Sequence, residues 1–159
     1  MRIAWGMYVA PVQGAFGPYP PSAEKVLRSF SRIKKQRIAV HGAFAANRFG
    51  LTTQVPVRQV YLTSGPACQI VLGRNAVELL RAPEWQTLMP FRPAGDAIRA
   101  MAYMGETVAD EVAAAICRQL VPSEWGSLEQ VLGRLPEWMA AAFTTAGSSY
   151  RRGHAPNGS

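Results

Sequence analysis

Few side chains in this sequence are spaced for covalent chemistry. A hydrolase or transferase needs a nucleophile, a base and a group that orients the base, and the chain has only two histidines, His41 and His154. His154 falls in a Gly- and Ser-rich C-terminal stretch, which leaves His41. It sits at a strand-to-helix junction ahead of Asn47, where a histidine more often satisfies a backbone group than acts as a base. Asp110 and Glu111 are adjacent at a helix start, where the helix dipole accounts for them, and the other carboxylates lack the paired spacing of acid and base work. Cys68 and Cys117 lie far apart, with no Cys-x-x-Cys and no histidine at ligand spacing. They read as buried thiols in a reducing compartment. Neither Gly-x-Gly-x-x-Gly nor a Walker pattern occurs. The expectation is a protein that is not an enzyme, with no catalytic residue, metal, cofactor or small-molecule substrate.

Residues suited to binding are easier to find. The net charge is +7, and it is uneven: residues 1–60 carry nine Lys or Arg against one acid, Glu24, while residues 61–159 carry eight against nine. A basic region on an otherwise balanced chain suits nucleic acid or an acidic protein surface, because its field steers polyanions; the plainer alternative is a solvated helix face. Within the set Arg28, Arg32, Lys34, Lys35 and Arg37 no exposed aromatic is interleaved, which argues against a binder that stacks single-stranded bases. Thr52-Thr53-Gln54, between Gly50 and Pro56, is a polar loop whose hydroxyls either meet a partner or bond the turn itself. Lys34, Lys35, Arg37, Thr52, Thr53, Gln54 and Arg58 are therefore the candidate binding surface.

The elements that must carry this surface follow from the apolar pattern. Ile3 to Val9 reads as a short strand, followed by a Pro- and Gly-rich linker over 11–21. Ser22 is an N-cap for an amphipathic helix whose apolar face is Val26, Leu27, Phe30 and Ile33. Strands are expected near 38–40, 57–63, 68–72 and 76–81, with Gly73-Arg74-Asn75 as a three-residue hairpin connection. A small alanine-rich helix over 41–49, closed by Gly50, suggests close packing. From Pro93 the pattern becomes helical, with capping boxes at Thr107/Asp110 and Ser127/Gln130 and a last helix from Pro136. The fold class is α+β: a small antiparallel or mixed sheet, an N-terminal amphipathic helix and a C-terminal cluster of three to four helices. One domain over 22–143 is expected, with a disordered tail over 144–159. No apolar run approaches the roughly 20 residues of a membrane span, and the start lacks a secretory signal, so a cytoplasmic location is expected.

The segment Gly50-Leu51-Thr52-Thr53-Gln54-Val55-Pro56-Val57-Arg58-Gln59-Val60-Tyr61-Leu62-Thr63-Ser64-Gly65 resembles the AbiEi-like antitoxins of type IV toxin–antitoxin (abortive infection) systems, including the DUF6088 group. Gly6-Met7-Tyr8-Val9, His41-Gly42-Ala43-x-Ala45-Ala46-Asn47, Leu80-Arg81-Ala82-Pro83, Arg92-Pro93-Ala94-Gly95 and Leu135-Pro136-x-Trp138-Met139 extend the likeness. The resemblance implies an antitoxin that represses its own operon through an N-terminal winged helix and counteracts a nucleotidyltransferase-like toxin through its C-terminal domain. Family members place the winged helix before the Gly-x-Tyr segment, here at Gly6, so residues 1–10 are expected to be a remnant wing strand. Trp5 stands where the family tends to have Arg, which removes a phosphate contact. The implied partners are the cognate toxin, met directly or functionally, and operator DNA if the winged helix is supplied. The alternative is a sequence-tolerant nucleic-acid binder acting through the basic N-terminal surface, and a small enzyme using His41 is a third reading.

Overall fold

The computed structural model describes residues 2–3, 23–54 and 59–153. The chain divides into two compact units: Met1–His41 with Pro56–Pro90, and Gly42–Val55 with Phe91–Ser159. Sequence alone pointed to one domain over 22–143.

The first unit is an α+β layer. Its sheet runs in the order β1 (Arg2–Ile3), β4 (Cys68–Leu72), β5 (Asn75–Arg81), β3 (Val60–Thr63), β2 (Ile38–Val40). Strands 38–40 and 68–72 lie where the pattern put them, the last strand starts at Asn75, and residues 55–58, including Arg58, lie outside the described residues. So do residues 4–22, with the linker and most of the proposed wing strand; Arg2 and Ile3 pair in parallel with Gln69 and Ile70. Leu72 pairs directly with Asn75, so the β4–β5 turn has two residues rather than three. Gly73 takes φ 60° there, a conformation a side chain would resist. Because the chain reaches β4 on the far side of β5 and then turns back, β5 lies parallel to β3 while β4–β5 and β2–β3 are antiparallel.

Helix α1 (Ala23–Lys34) covers the sheet unit with Val26, Leu27 and Phe30, which are buried together with Ile38, Val40, Ile70, Val77 and Leu79. Ile33, expected on the same face, is 49% exposed: the apolar stripe ends one turn before the helix does. The helix stops at a Schellman cap, with Gln36 N–H on Ser31 C=O at 3.1 Å and Lys35 in the left-handed region at φ 55°.

The second unit is helical: α2 (Gly42–Arg48), α3 (Pro93–Met104), α4 (Ala109–Gln119), α5 (Pro122–Gln130) and α6 (Glu137–Gly153). Helix α2 follows β2 immediately in sequence yet packs on α3, and this is why the chain divides as it does. Ala45 and Ala46 are fully buried, and a Cβ on Gly42 would stand 2.6 Å from the Arg99 carbonyl oxygen, so only small residues permit this approach. Gly50 closes α2 at φ 71° in the same Schellman arrangement, with Leu51 N–H on Ala46 C=O at 2.9 Å.

Three local expectations are corrected here. Helix α4 has Val108 as its N-cap without a side-chain cap bond, so Thr107/Asp110 is no capping box. Ser127 lies inside α5 and donates to Ser123 C=O at 3.2 Å, so it caps nothing. The last helix continues to Gly153, ten residues into the stretch expected to be disordered; Ala146 and Gly147 are buried, the latter against the Trp125 ring, and supply the packing that composition did not reveal. Residues 154–159, with His154, lie outside the described residues.

Candidate functional site

Lys34 and Lys35 are exposed at the end of α1, and Arg37 follows two residues later at the start of β2. Among the described residues no carboxylate pairs with either lysine. Arg37 is held more firmly. Its backbone N–H donates to Ser64 Oγ at 2.9 Å, and its Nε donates to Thr87 Oγ1 at 3.2 Å. Thr87 is fully buried and donates in turn to Glu84 C=O at 3.0 Å, which fixes the acceptor that orients the guanidinium. Nη2 of Arg37 stands 3.7 Å from Glu84 Oε1.

The elements bring further residues to the same place. In the parallel β3–β5 pair Thr63 is opposite Arg81, and Ala82 N–H bonds Thr63 C=O at 3.0 Å, so both strands end side by side. Beyond them an open groove of about 660 Å³ is lined by Arg37, Ser64, Arg81, Ala82, Pro83 and Glu84. Next to Ser64, Thr63 is fully buried, donates through Oγ1 to Gln36 Oε1 at 2.9 Å and accepts Gly65 N–H at 3.0 Å. The Gln36 amide occupies the space a Cβ on Gly65 would need. The groove thus holds two guanidiniums, one hydroxyl and one carboxylate.

A family model described as DUF6088, a family of unknown function, matches residues 1–125. The chain belongs to the DUF6088 family. No curated protein and no solved structure gives a significant match. The matched DUF6088 region contains the whole groove and all of α1 to α4; α6 lies beyond it.

Thr52, Thr53 and Gln54 belong to the helical unit, not to the one carrying Lys34, Lys35 and Arg37. Thr52 Oγ1 accepts Gln54 N–H at 3.2 Å, and Asn47 Nδ2 donates to Gln54 C=O at 3.0 Å. The Thr52 hydroxyl therefore braces its own turn, one of the two roles weighed for this loop, and Thr53 and Gln54 remain exposed beside it. His41 and Asn47 fall in different units, and burial pushes the His41 imidazole below its ordinary pKa, favouring the neutral ring. Both cysteines are free and buried, and burial raises each thiol pKa, which makes them poor nucleophiles. Among the described residues no cluster of three His, Cys, Asp or Glu is placed to hold a metal, and no helix is long and apolar enough to cross a membrane.

Ser64, Arg81 and Glu84 escaped the sequence reading. Each ends or follows an element: the antiparallel β2–β3 pair sets Ser64 beside Arg37, and the parallel register of β3 with β5 adds Arg81 and Glu84. A second charged cluster was also missed. In the helical unit Asp96, 4% exposed, takes Arg99 Nη2 on Oδ1 and Arg48 Nη1 on Oδ2, both at 2.9 Å. The Arg48 guanidinium lies 4.7 Å from the centroid of the Phe44 ring. Burial lowers the Arg99 pKa and Asp96 opposes that shift. Asp96 three residues before Arg99 on an otherwise apolar helix was the available signal.

Proposed function

We propose that this DUF6088 protein acts by binding, as an antitoxin-like regulatory protein that counteracts a nucleotidyltransferase-like toxin. The observation that carries the reading is the cationic turn: Lys34, Lys35 and Arg37 crowd one junction, and Lys35 sits at a left-handed position that glycine would fill with less strain. A cation kept where it costs about 1 kcal/mol is consistent with a surface used for recognition. The resemblance to AbiEi-like antitoxins supplies the kind of partner, and the thiols and imidazole described above favour a non-catalytic role. Autoregulation of transcription through operator DNA belongs to this proposal where a winged helix is supplied. A cytoplasmic site of action follows from the same reading.

Co-expression tests it. A neighbouring nucleotidyltransferase-like toxin is expressed with and without this chain, and surviving cells are counted. Survival only with the chain is the expected outcome; death in both cases, with the chain shown to be folded in the lysate, overturns the proposal. A second reading, sequence-tolerant nucleic-acid binding, is favoured by the two arginines that share one groove.

A further inference from the structure

We infer that the groove at the ends of β3 and β5 is a phosphate-binding site, and that its occupant is the phosphodiester backbone of a nucleic acid. The inference does not depend on antitoxin action: a chain that fails to rescue cells can still bind here, and one that rescues them can fail to.

The sheet order sets the geometry. Strand β3 lies between β5 and β2, so Arg81 at the end of β5 and Arg37 at the start of β2 flank Ser64, which follows β3. Neighbouring strands are about 4.8 Å apart, which places the two arginine backbones about 10 Å from each other, within reach of one bound anion for side chains of this length. Crevices beyond the carboxyl ends of parallel strands are where open sheets accept ligands, and β3 and β5 both end here. Ser64 Oγ accepts the Arg37 amide, so its O–H can turn toward the groove. Arg37 is oriented before any ligand arrives, because Nε is engaged with a buried threonine.

Geometry and charge favour phosphate over the carboxylate of an acidic protein. Glu84 forms an ion pair with Arg37 at 3.7 Å on one side of the groove, and Arg81 lines the other. A tetrahedral phosphate offers oxygens to arginines arriving from separate strands. Lys34 and Lys35, two and three residues before Arg37, extend the positive charge past the groove, which suits an anion with repeating charges.

Fluorescence anisotropy with a short labelled oligonucleotide, over a salt series, decides the matter, with a poly-glutamate peptide of equal charge as the comparison. Arg81→Ala is expected to weaken oligonucleotide binding by roughly tenfold and to reduce the log–log salt slope by about 0.7–0.9. Glu84→Gln, at an exposed position that leaves the fold intact, is expected to tighten binding roughly threefold, an effect no purely structural role for the groove produces. Unchanged affinity and slope in Arg81→Ala, or no gain in Glu84→Gln, overturns the site. Poly-glutamate binding as tightly as the oligonucleotide overturns the phosphate assignment in favour of an acidic protein.

Discussion

In the helical unit Arg99 has no exposed side-chain surface and meets Asp96 at 2.9 Å, whereas in the sheet unit Arg37 and Arg81 line a groove whose carboxylate stands 3.7 Å off. The same side chain serves two purposes, and compensation separates them. A guanidinium out of water must be paired, so Arg99 and Asp96 are bound to the fold. A guanidinium at an exposed edge, paired only loosely as Arg37 is with Glu84, stays available to an anion from outside. The helix caps repeat the contrast. Helices α1 and α2 end in the same Schellman geometry, but α2 has glycine at the left-handed position and α1 has Lys35.

The largest expected effect breaks the buried pair. Asp96→Ala strands Arg99 in the core and should cost about 3–5 kcal/mol by denaturant unfolding, whereas Asp96→Leu combined with Arg99→Met should recover most of that loss. A small cost for Asp96→Ala would mean that Arg99 is no more constrained than Arg37. Next come the two close-packed glycines. Gly42→Ala pushes a methyl toward a backbone carbonyl that cannot move aside, at a cost of roughly 1–3 kcal/mol. Gly65→Ala displaces only the Gln36 amide and its bond to Thr63, at a cost of about 1 kcal/mol. Equal losses in melting experiments would erase the distinction between the rigid helical contact and the adaptable contact beside the groove.

Smaller effects sharpen the comparison. Glu124 accepts from Arg92 at 2.8 Å and from Ala94 N–H at 3.0 Å, capping α3 from a distant helix, and these bonds hold its carboxyl below the ordinary value of 4.5. Because the folded pKa is the lower one, the stabilisation is complete above pH 4.5 and disappears as the pH falls through the folded value. Glu124→Gln should therefore lose stability near neutral pH, by no more than about 1 kcal/mol given solvent screening, and approach the parent in acid. A pH-independent difference would contradict the capping role. Smallest of all, Lys35→Gly should raise stability by up to about 1 kcal/mol while weakening oligonucleotide binding, separating the strain from the charge. A loss of stability there would show that Lys35 is held by contacts and not strained.

Local pattern carried much of the fold. Apolar spacing located α1, the alanines foretold the close approach of α2, and the strands and helical C-terminal half could be read from residue types, because each of these depends on neighbours a few positions away. Charge asymmetry likewise pointed to Lys34, Lys35 and Arg37. What local pattern could not supply was pairing at a distance. The cap of α3, the burial of Ala146 and Gly147, and the packing of α2 on α3 all depend on elements far along the chain. The groove is the clearest case. Arg37, Ser64, Arg81 and Glu84 are unremarkable one by one, and it is the two pairings of β3, antiparallel with β2 and parallel with β5 through the fold-back of the β4–β5 hairpin, that set two positive charges around one hydroxyl.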